Sequence, residues 1–161
     1  MRSLLFLAAL LTALAGASPG ARALPAPMSG SELLSKSDLV ALIRVLAVTC
    51  TGVAKDPRTG EELPRYSAKA ELMYVTKGEE APGDDITLTF QAIPRAALGP
   101  WTVFYYPGEM VWTHLVATDG AYTTTWWNGK TRTVSQAVIT ELPTTPGETV
   151  EVPRRNAQTR D

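Results

Sequence analysis

Between Asp38 and Thr49 the chain runs Leu-Val-Ala-Leu-Ile-Arg-Val-Leu-Ala-Val, apolar and rich in β-branched residues apart from Arg44. A strand with one wet face alternates polar and apolar side chains, whereas this run offers apolar groups to both faces. It therefore reads as a long central strand around which the rest must be wrapped. Arg44 is its one charge, and its stem must let the head reach water or a carboxylate.

The segments that follow are shorter and separated by turn residues. Residues 52–64 carry Gly52, Asp56-Pro57, Thr59-Gly60 and Pro64, the composition of an exposed loop. Tyr66 to Thr76 alternates, with Ala68, Ala70, Leu72 and Tyr74 on one side and Lys69 and Glu71 on the other, and predicts a second strand. Ile86, Leu88 and Phe90 alternate with Thr87, Thr89 and Gln91 in a third. Pro94, Gly99 and Pro100 exclude a central strand over 93–100, and Val103 to Tyr106 predicts a short edge segment before a Pro107-Gly108 turn. Met110 to Ala117 is a fourth strand, connected tightly through Thr118-Asp119-Gly120 to Tyr122–Trp127. Asn128-Gly129 is a strong hairpin signal, favouring positive φ at both residues, with Thr131 to Val134 as the return strand. Ser135 to Leu142 reads either as a short capped helix or as an extended piece.

These elements predict an all-β fold, a small antiparallel β-barrel of OB-like kind with one or two short helices. Residues 24–145 form the single domain. Leu24 to Ser35 is an extended lead-in with a helical turn at Glu32 to Ser35 that plugs one end, and 146–161 is a polar, frayed tail with a strand segment at Thr149 to Val152.

The front of the chain fixes a compartment. Arg2, an apolar run from Leu4 to Ala15 and the small residues of Ala21-Arg22-Ala23 predict a signal peptide over residues 1–23. The run is too short to cross a bilayer, which takes about 20 apolar residues, and residues 16–28 hold no cysteine for lipid attachment. The processed protein is expected to be periplasmic or secreted, with no membrane insertion after cleavage. Cys50 is the only cysteine, so no internal disulfide forms. It reads as a small buried hydrophobe, with intermolecular pairing or a reactive thiol as alternatives. Fifteen Lys and Arg against sixteen Asp and Glu leave a net charge of -1, so no nucleic-acid affinity is expected.

The order of features resembles a known group. Ser37-Asp38-Leu39-Val40 opens the long strand, Tyr74-Val75-Thr76-Lys77-Gly78 closes the second, the third is Thr-rich, and Tyr106-Pro107-Gly108-Glu109 leads into the fourth. Over roughly residues 33 to 118 this resembles exported bacterial domains related to the tissue-inhibitor-of-metalloproteinase and netrin modules. The resemblance implies an OB-like barrel far more than it implies an activity. Inhibitors of that kind chelate a protease zinc through an amino-terminal cysteine, whereas the mature start predicted here is Leu24-Pro25, and the family's disulfides are absent.

Chemistry-bearing residues are sparse. His114 and Cys50 are single, with no HExxH or CxxC spacing, so no metal site is expected. A serine triad would need His114 as base with Asp119 nearby, but no GxSxG turn presents a nucleophile. The carboxylate pairs Glu61-Glu62, Glu79-Glu80 and Asp84-Asp85 fall in turns and read as solvated charge, and no phosphate loop or cofactor motif occurs. The uneven feature is aromatic, with Trp101, Phe104, Tyr105, Tyr106, Trp112, Tyr122, Trp126 and Trp127 all between 101 and 127. Most would fill the core, but consecutive Trp126 and Trp127 in a strand point to opposite faces, leaving one outside. The expectation is a non-catalytic exported module that binds an extracytoplasmic protein or glycan through Trp112, Tyr122, Trp126 and Trp127. The alternatives are a protease-inhibitor-like module acting through the segment near Leu24, and a hydrolase using His114 with Asp119.

Overall fold

A computed structural model of the chain describes residues 25–95 and 102–154. The leader expected over 1–23, its cleavage point, Leu24 and Trp101 lie outside these residues. One short helix, α1 (Gly30–Lys36), precedes β1 (Leu39–Lys55), β2 (Glu62–Lys77), β3 (Asp85–Gln91), β4 (Met110–Thr118), β5 (Ala121–Thr124), β6 (Lys130–Ser135) and β7 (Thr149–Glu151). The protein is all-β as expected. Its single sheet has the order β6-β4-β5-β3-β2-β1-β7, and a further pairing of β4 with β1 closes β1, β2, β3, β5 and β4 into a barrel-like ring. Among the described residues no helix is long and apolar enough to cross a membrane.

The long apolar run is the spine of this ring. Leu39, Ala41, Ile43 and Val45 are buried, then the inward parity switches to Val48 and Cys50. The switch coincides with a register shift between Val45 and Ala47, since one extra residue turns every later side chain to the other face. The run looked apolar on both faces partly because it serves the core with two different parities. One edge of β1 is covered by β2, while the other is shared by β4 along Leu39–Arg44 and by β7 along Ala47–Thr49. Leu46, on the back of the bulge, accepts a hydrogen bond from Val152 N at 2.8 Å, and Val152 is itself 9% exposed. The described part of 146–161 is thus a docked edge strand, and Arg44 donates to the Pro153 carbonyl at 3.2 Å.

Several local expectations are corrected. The 52–64 loop shrinks to 56–61, because β1 and β2 continue as a ribbon in which Gly52 sits at a register shift and Pro64 is accommodated opposite Val53. Residues 102–106 form no strand, and of the two alternatives for Ser135 to Leu142 the helix does not form, Ser135 ending β6. The Pro107-Gly108 turn is present, with Gly108 at φ 88 and Glu109 N donating to Tyr106 O. The helix begins earlier than Glu32, capped by Ser29 in a reciprocal box with Glu32.

The pairing around β4 departs most from expectation. Asp119 and Gly120 take φ 49 and 78, so the two-residue turn with paired positive angles joins β4 to β5. Asn128 and Gly129 show no positive φ, and β5 and β6 do not form a hairpin. Both instead lie along β4 in the same direction: Thr124 faces Leu115 and Lys130 faces Thr113. They behave as one interrupted strand with residues 125–129 looped out opposite His114.

Candidate functional site

The excursion at 125–129 is clasped by the backbone of one residue. His114 O accepts from Thr125 N at 3.0 Å, and His114 N donates to Gly129 O at 2.9 Å. The His114 ring adds Nδ1 at 3.2 Å from the same Gly129 oxygen, which can accept only from a protonated Nδ1. Gly129 closes a tight turn by donating to Trp126 O at 2.8 Å. A Cβ there would lie 2.8 Å from Thr124 Cγ2, 3.0 Å from Trp126 O and 3.2 Å from His114 O, so the glycine is required by close approach of backbone.

Looping out removes Trp126 and Trp127 from any strand, so they are not on opposite sheet faces. Both are half-buried, and both indoles are tied to the amino-terminal lead-in. Trp126 Nε1 donates to Ala26 O at 3.0 Å and Trp127 Nε1 to Pro25 O at 3.2 Å. Asn128 completes the tie reciprocally: its Nδ2 donates to Met28 O at 2.8 Å and its Oδ1 accepts from Met28 N at 3.2 Å. Residues 25–28 therefore form a strap across the loop.

The same two tryptophans line a cavity of about 280 Å³. Its origin is topological. β3 and β5 meet in parallel at one pair, Leu88 with Tyr122, and then part, β3 following β2 while β5 stays on β4. Thr89, Phe90, Gln91, Thr102, Thr123, Trp126 and Trp127 line the space between the parted ends. Phe90 is anchored by the core, stacked on Tyr66 at 5.1 Å and edge-on to Tyr105 at 5.7 Å.

A buried polar network holds the ground beneath this cleft. Glu109, 4% exposed, accepts from Lys130 Nζ at 2.9 and 2.7 Å and from Tyr106 N at 2.8 Å. Lys130 also donates to Phe104 O at 2.8 Å and lies 5.3 Å from the Tyr105 ring centroid. Lys130 directly follows the loop, so the ion pair ties the loop's end to the 102–109 connection. The Tyr105 hydroxyl lies 2.6 Å from Thr113 Oγ1 and 2.8 Å from Thr124 Oγ1. Burial pushes its pKa up to about 12, with Glu109 adding to the rise and the two threonine hydroxyls opposing it.

The four residues expected to bind together occupy three places. Trp126 and Trp127 share the cleft. Tyr122 lines a different cavity of about 390 Å³ with Asp38, Lys77, Glu79 and Glu80. There Lys77 Nζ is committed to Leu34 O and Ser37 O at the end of α1. Trp112 lies on the outer face in the cross-strand row Tyr74, Leu42, Trp112, Arg132, edge-on to Tyr74 at 5.8 Å. His114 lies within β4 and Asp119 in the turn that follows it, and the His114 ring is bonded to Gly129 O rather than to Asp119. The strap, the clasp and the Glu109–Lys130 pair are long-range and were not read from the sequence, although the solitary Lys130 between turn and strand was a hint. No family model, curated protein or solved structure matches this chain.

Proposed function

We propose that this chain is an exported, non-catalytic binding module whose contact site is the 125–129 loop and the cleft beside it. One observation carries the reading: two adjacent tryptophans are thrown out of the sheet and fixed there by hydrogen bonds from both indoles, next to a preformed cavity. Large rings that are already immobilised lose little freedom on binding, which is what a recognition surface requires. Export rests on the charged, apolar and small-residue segments of the leader, and the OB-like relationship on the turn motifs that resemble the inhibitor and netrin modules.

The test is retention of an envelope component. Immobilised protein is incubated with a bacterial envelope extract and washed, alongside Trp126→Ala and Trp127→Ala variants whose fold is checked by far-ultraviolet circular dichroism. The reading expects a component held by the parent and released by both variants. A component held equally by all three, or none held by the parent, overturns it.

A second reading is favoured by the strap itself. Segment 25–28 is held by four hydrogen bonds, and a fixed amino-terminal segment suits a protease-inhibitor-like module. That reading expects inhibition of at least one secreted protease, weakened by Asn128→Ala, and an unresponsive protease panel removes it.

A further inference from the structure

The chemistry of the cleft also names a ligand class, an inference that rests on reading the Trp126–Trp127 site as a binding site. Among the described residues no charged side chain lines it. An ion entering a half-enclosed space without a counter-charge gives up hydration for nothing, so phosphates, carboxylates and ammonium groups are disfavoured. The neighbouring 390 Å³ cavity, lined by Lys77, Asp38, Glu79 and Glu80, shows the contrast.

The polar groups that remain are hydroxyls and an amide. Thr124 and Thr125 are engaged, with Tyr105 and Ser37 respectively. Thr89, Gln91, Thr102 and Thr123 also line the cleft, and hydroxyl and amide side chains both donate and accept. The indole N–H groups are already satisfied by Ala26 and Pro25, which fixes the two half-buried rings beside the cleft. Fixed aromatic residues beside neutral hydroxyl and amide residues, with no charge among the described lining, match a molecule that has C–H faces and a rim of neutral hydroxyls. At about 280 Å³ the space falls just below the roughly 300–1,000 Å³ typical of drug-sized ligand sites, which limits it to a single small ring. We propose that the cleft takes a neutral pyranose unit of a glycan, stacked on the tryptophan platform that the 25–28 strap holds in place.

The experiment is a ¹H–¹⁵N titration of the full chain at millimolar ligand. The probes are methyl β-D-glucopyranoside, methyl α-D-mannopyranoside and N-acetyl-D-glucosamine, with glucuronic acid, glucosamine and trialanine as charged and peptide comparisons. The inference expects at least one neutral pyranoside to move the amides of 89–91 and 123–127 and both indole N–H signals. Trp126→Ala or Trp127→Ala should weaken it about tenfold. Because those variants also remove the indole bonds to the strap, Thr89→Val and Gln91→Ala, both at exposed strand positions, serve as the second pair. Each should weaken binding severalfold while leaving the remaining spectrum in place. Preference for a charged sugar, response to trialanine alone, or no response to any neutral pyranoside overturns the inference. If the envelope component is still held through Trp126 and Trp127 in that event, the binding reading stands and only the ligand class falls. If neither experiment responds, both fall.

Discussion

Removing the Glu109 carboxylate tests whether the loop is anchored from below. The Glu109 side chain is 5% exposed and that of Lys130 19%, so the pair is largely withdrawn from water. Glu109→Leu leaves Lys130 with only the Phe104 carbonyl and strands the Tyr106 N–H. Breaking a buried pair from one side costs about 3–5 kcal/mol. The lower end applies here, since Lys130 retains some access to solvent, giving a loss of about 3 kcal/mol. Lys130→Met leaves the more deeply buried carboxylate unpaired and should cost about 4 kcal/mol. In the double variant no charge remains, and the chief deficit is the orphaned Tyr106 N–H, worth about 2 kcal/mol. The double variant should therefore be more stable than either single one. Urea unfolding followed by circular dichroism reads this directly, provided the slope against denaturant is unchanged. Singles that each cost under about 1 kcal/mol would class the pair with exposed ion pairs. A double loss equal to the sum of the singles would show that the two groups do not interact, and would refute the anchoring argument.

The buried Tyr105 hydroxyl gives a pH dependence. Its pKa rises from an ordinary 10.0 to about 12 in the folded chain, so the fold favours the protonated form. That stabilisation is fully present below pH 10 and is lost as pH rises toward 12, about 3 kcal/mol at 1.36 kcal/mol per unit. Stability measured across that window should fall in the parent and fall less in Tyr105→Phe, and equal slopes would contradict the assignment. Gly129→Ala should lose about 1–3 kcal/mol by overpacking against Thr124 and two backbone oxygens. The His114 and Gly129 amides should then exchange faster with solvent, and unchanged exchange would count against the clasp. Cys50 is fully buried and should resist a thiol reagent until the protein unfolds. Reaction at the rate of a free thiol under native conditions would disprove its place in the core.

The strands were legible where one local rule applied. Ile86, Leu88 and Phe90 alternate with polar residues and lie in β3 as expected, and the run after Asp38 became the spine of the ring. Legibility failed where two local signals competed for one structure. Asp119-Gly120 and Asn128-Gly129 are equivalent as turn dipeptides, yet only the first has the paired positive φ angles. The second was overridden because β4 extends from Met110 to Thr118, and its free edge is long enough to take β5 and β6 end to end. That outcome depends on an edge whose length is set by tertiary pairing, which no window around Asn128 contains. The same holds for the site. Pro25, Ala26 and Met28 are about a hundred residues from the side chains that bind them, and nothing in the composition of either segment announces the other. The aromatic density between 101 and 127 did point to the region, but among the described residues Trp126 and Trp127 line the cleft, Trp112 the outer face, Tyr122 a second cavity, and Tyr105 is in the core.

The account turns on β5 and β6 lying consecutively along β4, because only that arrangement expels Trp126 and Trp127 beside the parted strands. Backbone NOEs in the uniformly labelled protein decide it. Contacts of Leu115 with Thr124 and of Thr113 with Lys130 are predicted, together with one between Leu88 and Tyr122. Contacts of Thr125 with Arg132 and of Thr123 with Val134 would instead establish a hairpin closed at Asn128-Gly129, and would contradict the site.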